Sequence, residues 1–195
     1  MPNIALFGPP GAGKGTQSQK LIQTYQYTAI ALGDLLREQV SQQTALGQQI
    51  NSYISMGKLV PDTLAISIVE AQVIAKKHSN RLLFDGFPRT VRQATALETM
   101  LASHQMTIDG VLFLDVPEAE LVQRIQGRAK MGGRTDDQDT AKVATRMRIY
   151  ADETLPVAQY YAQQGKLLKI DGTGLVEQVT KRIFAAVDKL SCADL

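Results

Sequence analysis

Short apolar runs alternate along the chain with longer stretches that have helical periodicity. The apolar runs predict buried strands at 4–7, 82–84, 111–114 and 167–170, and a weaker strand near 27–32. The stretches between them predict helices at 15–25, 34–42, 45–56, 63–78, 90–104, 118–126, 140–164 and 175–190. Strands that alternate with helices favour an α/β fold, in which a parallel sheet is covered by helices on both faces.

Two segments do not fit a simple alternation of strands and helices. Residues 33–75 contain about three predicted helices where one crossover helix is expected, which indicates an inserted helical subdomain. Residues 127–137 form a polar, glycine-containing segment between two helices, and loops of this kind commonly carry function. Pro156 lies inside the 140–164 stretch and is expected to kink or divide that helix.

Composition narrows the class of protein. The chain has 195 residues, 44% of them apolar, which suits one compact domain with a sizeable core. Lysine and arginine number 21 against 19 acidic residues, so a nucleic-acid surface is not expected. The single cysteine, Cys192, excludes an intramolecular disulfide and a four-cysteine metal site. The sequence has neither an apolar run near the roughly 18 residues of a membrane span nor a signal peptide, so we expect a cytoplasmic protein.

A phosphate-binding loop follows the first predicted strand. Gly8, Gly13 and Lys14 satisfy the G-x-x-x-x-G-K core of the P-loop, in which backbone N–H groups and a helix N-terminus converge on phosphate oxygens. The Ser or Thr that usually follows the lysine is displaced by Gly15, so that Thr16 becomes the candidate hydroxyl for Mg²⁺. Asp85, at the end of the 82–84 strand, is a second candidate for holding this ion, and we expect both groups to hold it indirectly.

Motifs along essentially the whole chain resemble those of the short-lid bacterial adenylate kinases, which belong to the nucleoside-monophosphate kinase family. The resemblance rests on segments 8–16, 33–37, 57–60, 85–90, 132–137 and 171–174, together with Gln93, Arg124, Arg128 and Arg146. It implies a P-loop NTPase-type fold with a five-stranded parallel sheet, a monophosphate-binding subdomain at 31–60 and a short lid at 127–137. It also implies reversible phosphoryl transfer from ATP to AMP, with Mg²⁺, by a monomer that binds neither nucleic acid nor membrane.

The same resemblance assigns roles to individual residues. On the ATP side it places Gly11, Ala12, Gly13, Lys14, Gly15, Thr16, Arg124, Arg128 and Gly174. On the AMP side it places Arg37, Lys58, Leu59, Val60, Gly86, Phe87, Pro88, Arg89, Gln93, Arg134 and Arg146. The catalytic set is Lys14, Asp85, Arg89, Arg124, Arg128, Arg134 and Arg146, with Arg37 and Arg89 on the AMP phosphate and Arg134 and Arg146 on the migrating phosphoryl group.

These cationic residues suit the chemistry. Transfer between two nucleotides brings several phosphate charges together, so catalysis depends on positioning and charge neutralisation. The acceptor phosphate attacks directly, and a side-chain nucleophile is not needed. The predicted lid contains no cysteine or histidine, which excludes a zinc site there.

The choice of acceptor base leaves two alternatives open. The resemblance implies that Gln93 reads the adenine edge, and an amide is suited to a bidentate pair with adenine. Leu32 stands where the family usually has a hydroxyl residue, and leucine cannot make that hydrogen bond. A uridylate or cytidylate kinase of the same fold is therefore the nearest alternative, and a non-enzymatic P-loop switch is a more distant one.

Overall fold

A five-stranded parallel sheet forms the centre of the computed structural model, which describes residues 2–79, 81–130 and 137–192. Within these ranges the strands are β1 (Ile4–Phe7), β2 (Thr28–Ala31), β3 (Leu82–Asp85), β4 (Gly110–Asp115) and β5 (Leu167–Asp171). They lie in the order β2-β3-β1-β4-β5, with every neighbouring pair parallel. The predicted α/β fold and all five predicted strands are confirmed.

Helices connect the strands and cover both faces of the sheet. They are α1 (Lys14–Tyr25), α2 (Leu32–Ser41), α3 (Ala45–Ile54), α4 (Asp62–Lys76), α5 (Val91–Ala102), α6 (Glu118–Lys130), α7 (Thr140–Ile149), α8 (Leu155–Gln163) and α9 (Val176–Cys192). Most boundaries lie within about two residues of the predicted ones. None of these helices in the described ranges is long and apolar enough to cross a membrane.

Two separate cores lie on the two faces of the sheet because successive strand side chains point to opposite sides. Ala5 and Phe7 of β1 face a core made with α2, α3, α4, α5 and α8, whereas Ile4 and Leu6 face a core made with α1, α6 and α9. All four side chains are at most 4% exposed. This burial on both faces explains the continuous apolar runs of the central strands β1, β3 and β4, whereas the edge strand β5 includes the exposed Lys169.

The 140–164 stretch is divided, as predicted from Pro156. Helix α7 ends at Ile149, a π-helical turn spans Tyr150–Thr154, and α8 begins at Leu155. Pro156 lies in the first turn of α8, where its missing N–H costs no intrahelical hydrogen bond. The π-helical turn between the two helices was not predicted.

Helix α6 is longer than its predicted end at Gln126. It continues through Lys130, so residues 127–130 of the predicted lid are helical and the prediction of a loop there is wrong. Alanine, lysine and arginine favour helix enough to offset Gly127. Residues 131–136 of the predicted lid lie outside the described residues.

Residues 32–76 fold as three helices between β2 and β3, as the sequence predicts. Helix α2 begins at Leu32, which is buried in the core instead of ending a strand as predicted. Gly47 lets α3 approach α2 closely, since a Cβ at this position would lie 2.2 Å from the carbonyl oxygen of Gln39.

This close approach predicts that Gly47→Ala destabilises the protein. The added methyl group would overlap a backbone oxygen, and overpacking of this kind costs about 1–3 kcal/mol, which lowers the melting temperature by several degrees. Gly127→Ala is the matched control, because a Cβ on Gly127 meets nothing within 4 Å and alanine favours helix. Thermal unfolding followed by circular dichroism should show a lower midpoint for Gly47→Ala only. Equal midpoints for the two variants would contradict this account of α2–α3 packing.

Candidate active site

The phosphate-binding loop joins β1 to α1 at the carboxyl end of the sheet. Gly13 caps α1 with φ 92°, a left-handed conformation that glycine adopts without strain. Gly8 has φ 145°, and a Cβ there would lie 2.9 Å from the carbonyl oxygen of Leu114. The predicted arrangement of strand, glycine-rich loop and helix is therefore confirmed, with the N-terminus of α1 directed at the loop.

Lys14 spans this loop with its side chain. Its Nζ donates to the carbonyl oxygens of Gly8, at 2.7 Å, and Pro9, at 3.0 Å. These contacts fix an ammonium group inside the loop. A phosphate bound by the loop would therefore meet a positive charge already in position.

Asp85 ends β3 beside the same loop. Burial raises the pKa of its carboxyl group above the ordinary value, and the nearby charges of Lys14 and Arg89 oppose that rise. A hydrogen bond with the side chain of Ser18 also favours the ionised form. Thr16, the candidate hydroxyl, is exposed on the first turn of α1. Both oxygen groups line the cavity that the loop borders.

Two cavities lie side by side among the described residues. One, of about 490 Å³, is bordered by the phosphate-binding loop, Asp85 and Arg128. The other, of about 480 Å³, is bordered by Lys58, Val60 and Gln93. Both are lined by Gly33, Arg37, Gly57, Leu59, Arg89 and Arg146. Guanidinium groups thus stand where the two cavities adjoin.

Each of these shared arginines has an internal contact that directs it. Arg37 pairs with Asp34 of the same helix. Arg89 donates from Nε to the carbonyl oxygen of Gly86, at 2.8 Å. The arginine forks are therefore held at the junction of the two cavities.

Asp137 contacts Arg146, the third shared arginine, and also Arg128. It is 5% exposed and accepts hydrogen bonds from Arg128 Nε, at 2.5 Å, and Arg146 Nη1, at 2.8 Å. Burial alone would raise the pKa of Asp137, but the hydrogen bonds and charges of the two arginines outweigh it and lower the pKa below its ordinary value. The carboxylate thus orders two cationic groups from helices α6 and α7.

Some predicted site residues do not line either cavity. Arg124 turns to the loop after β5, donating to the carbonyl oxygen of Gly172 at 2.8 Å and pairing with Glu120 at 2.5 Å. Ala12 and Phe87 are buried at 2% and 1% exposure. Gly174 lies beside Gln178 in the 171–174 loop, and Arg134 lies outside the described residues.

Most of the residues predicted for the AMP side line one of the two cavities. Lys58, Leu59, Val60 and Gln93 line the 480 Å³ cavity, as does Leu32. Gly86 and Pro88 line the neighbouring one. Gln93 is 2% exposed, and its amide bonds to the backbone N–H of Arg89 and to the carboxylate of Asp62.

Sequence reasoning missed Asp62 and the role of Asp137 as a partner of two arginines. A Pro-Asp pair signals a helix start, which is where Asp62 lies, and this signal carries no information about a contact with Gln93. Asp137 belongs to one of the motifs, but its contacts join residues of different helices.

A parallel sheet with a P-loop after its first strand, and a second cavity joined to the first by arginines, define a P-loop protein that handles two phosphorylated ligands. The sequence model for the adenylate kinase family matches residues 6–166. Adenylate kinase from Porphyromonas gingivalis is 43% identical over 189 residues, covering 97% of both chains. Those from Flavobacterium psychrophilum and Bacteroides fragilis are 40% and 41% identical over 190 residues, covering 97% of this chain and all of each relative. The chain belongs to the adenylate kinase family.

The ion pairs of Asp137 predict a loss of stability on substitution. Asp137→Asn leaves two arginines without their carboxylate, and breaking such a buried pair costs about 3 kcal/mol of unfolding free energy at pH 7. Because the native pKa lies below its ordinary value, this stabilisation is lost as pH falls through the native pKa, so the difference from the parent should shrink below about pH 4.

Urea unfolding of both proteins from pH 3 to pH 7 measures this difference. Asp139→Asn is the matched control, since Asp139 is half-exposed, caps α7, and asparagine caps equally well. A cost for Asp137→Asn that does not change with pH would refute the ionic origin of the effect.

Proposed function

We propose that the two cavities hold ATP and AMP with their phosphates meeting at the arginines that line both. Phosphoryl transfer from ATP to AMP, giving two ADP, is the reaction of this enzyme family and of this chain. The observation that carries the arrangement is the shared lining, since Arg37, Arg89 and Arg146 border both cavities. Two polyphosphate chains that meet there would have their charge neutralised from both sides.

On the donor side, the phosphate-binding loop takes the ATP phosphates. Backbone N–H groups of residues 11–16 and the Lys14 ammonium group would contact the β- and γ-phosphates. Arg128 supplies a guanidinium fork from the cavity wall. Arg124 supports this side by donating a hydrogen bond to the carbonyl oxygen of Gly172. This contact holds the 171–174 loop, to which Gly174 belongs.

On the acceptor side, the monophosphate-binding subdomain at 31–60 takes AMP. Arg37 and Arg89 would bind its phosphate, and Lys58, Leu59 and Val60 would border the base, because all five line the acceptor-side cavity. Gly86 and Pro88 line the neighbouring donor-side cavity, and Phe87 between them in sequence is buried. Gln93, which lines the same cavity as Lys58, would read the base edge.

The acceptor phosphate attacks the γ-phosphorus directly, and ADP leaves. Arg146, together with Arg134, would neutralise the charge on the migrating phosphoryl group. Residues 127–137 are proposed as a short lid that closes over the phosphates and keeps water out, since water would compete with AMP as acceptor.

The residues beside the loop fit a magnesium ion that travels with ATP. Asp85 and Thr16 offer carboxylate and hydroxyl oxygens, the hard donors that Mg²⁺ prefers, and Mg²⁺ usually keeps several waters. The described residues contain no cluster of three or more His, Cys, Asp or Glu side chains, which suits an ion bound mainly through phosphates. Held beside Asp85 and Thr16, the ion would help to neutralise the charge of the ATP phosphates.

We further infer a monomer acting in the cytoplasm on free nucleotides, without nucleic-acid or membrane partners. The monomer is supported by the two adjoining cavities, which the described residues of one chain form by themselves. The near balance of 21 basic and 19 acidic residues supports the absence of a polyanion partner.

Assays with separate acceptors test the function against its alternatives. Consumption of ATP with Mg²⁺ is measured in the presence of AMP, UMP or CMP, with ADP quantified. Fast turnover with AMP alone is expected because the Gln93 amide in the cavity wall matches the adenine edge. Faster turnover with UMP or CMP would identify a pyrimidine-nucleotide kinase, and ATP hydrolysis insensitive to all three would identify a P-loop switch.

Asp85→Asn is predicted to separate stability from activity. Burial raises the pKa of Asp85, so ionised Asp85 destabilises the native state at pH 7 and a neutral amide should raise the melting temperature. This gain should shrink as pH falls below the native pKa of Asp85 and vanish near the ordinary pKa of about 4, where the carboxyl is neutral in both the native and the unfolded protein. Turnover should fall about a hundredfold because a magnesium anchor is lost.

Asp188→Asn provides the control for this experiment. Asp188 accepts a hydrogen bond from Tyr25 on α1 at 2.7 Å, and asparagine keeps an acceptor there. Its turnover should match the parent. Normal turnover and magnesium dependence in Asp85→Asn would refute the role of Asp85.

A further inference from the structure

A hydrogen-bond network joins the first residue of α4 to the first turn of α5 beside the 480 Å³ cavity. Gln93 Nε2 donates to Asp62 Oδ1 at 2.7 Å, and Gln93 Oε1 accepts from the Arg89 backbone N–H at 2.8 Å. Thr90 Oγ1 donates to both carboxylate oxygens of Asp62, each at 3.1 Å, and accepts from the Gln93 backbone N–H. The carboxylate also lies at the N-termini of two helices, which favour negative charge.

This network determines which way the Gln93 amide faces. An ionised carboxylate only accepts hydrogen bonds and a backbone N–H only donates, so Nε2 must face Asp62 and Oε1 must face Arg89. These contacts use one of the two N–H groups of Nε2 and one of the two lone pairs of Oε1. One N–H of Nε2 and one lone pair of Oε1 remain for a ligand, in a fixed order.

The wall around the amide makes that order matter. Gln93 lines the cavity together with the apolar side chains of Leu36, Ile54, Val60 and Ala65. Apolar side chains hold a flat base without distinguishing its polar groups, so discrimination rests on the polar side chains of the lining, among them Asn51, Ser55 and Gln93. The fixed amide is one of these groups.

We propose that Asp62 is a positioning residue that locks Gln93 in the order that accepts a 6-aminopurine monophosphate and rejects a 6-oxopurine monophosphate. This inference rests on the proposed placement of AMP in this cavity. Adenine presents an amino donor beside a ring-nitrogen acceptor, which matches the remaining lone pair and N–H of Gln93. Hypoxanthine presents a carbonyl acceptor beside an N–H donor, which would place like groups against each other in the same pose.

Asp62→Leu tests this assignment, because leucine is similar in size and cannot accept a hydrogen bond. AMP phosphorylation is measured at saturating ATP, and IMP is added as a competitor, giving the KM for AMP and the inhibition constant for IMP. Loss of a hydrogen bond to a charged group should lower the ratio of the IMP constant to the AMP KM about tenfold. The KM for ATP should stay within about twofold, since the contact lies on the acceptor side.

Two further variants of Asp62 separate positioning from stability. Asp62→Asn keeps an acceptor oxygen and should retain the parental ratio within about threefold. In Asp62→Ser the shorter side chain cannot reach Gln93, but serine suits a helix start. The ratio of the IMP constant to the AMP KM should therefore fall in this variant even if Asp62→Leu does not fold. Glu70→Leu, which removes an exposed carboxylate about two turns further along α4, should keep the parental ratio.

Loss of folding stability alone would lower activity without changing the preference between AMP and IMP. An unchanged ratio in Asp62→Leu or Asp62→Ser, or an equal loss in Asp62→Asn, would overturn the inference. Failure of the proposed function has a different signature, because the parent protein itself would then show no saturable AMP phosphorylation.

Discussion

Positive charge gathered between two cavities is the constraint on which the rest of the structure depends. Arginines from α2, α7 and the segment after β3 meet where the cavities adjoin, and the Lys14 ammonium group lies in the loop beside them. Like charges placed together repel one another, so each group needs a compensating contact in the fold. The carboxyl ends of parallel strands provide a common edge where distant segments supply both the charges and these contacts.

Acidic side chains and backbone carbonyls provide the compensation. Asp137 orders Arg128 and Arg146, Asp34 pairs with Arg37, and carbonyl oxygens receive Lys14 and Arg89. These partners also fix the side chains in directions that a bound phosphate would meet. Asp62 plays the corresponding part for a neutral group, the amide of Gln93. The site is thus built from pairs in which one member orients the other.

Much of this architecture follows from local sequence pattern. The alternation of apolar runs and helical stretches predicted all five strands of the described residues, and the P-loop followed from Gly8, Gly13 and Lys14. The extension of α6 was missed because the polar composition of residues 127–130 resembles that of a loop. The contacts of Asp62 and Asp137 were missed for another reason. They join residues 31 and 9 positions apart, and only the packing of different helices brings them together.

The central claim is that Arg146, one of the arginines shared by the two cavities, acts mainly on the transferring phosphoryl group. Arg146→Lys tests it most directly, with kcat measured for ATP plus AMP and the Kd of each nucleotide measured by calorimetry. The account predicts that kcat falls about a hundredfold while both Kd values stay within about fivefold. Arg148→Lys, an exposed change two residues away on α7, should match the parent. An unchanged kcat for Arg146→Lys, or a loss of binding large enough to account for the whole effect, would contradict the claim.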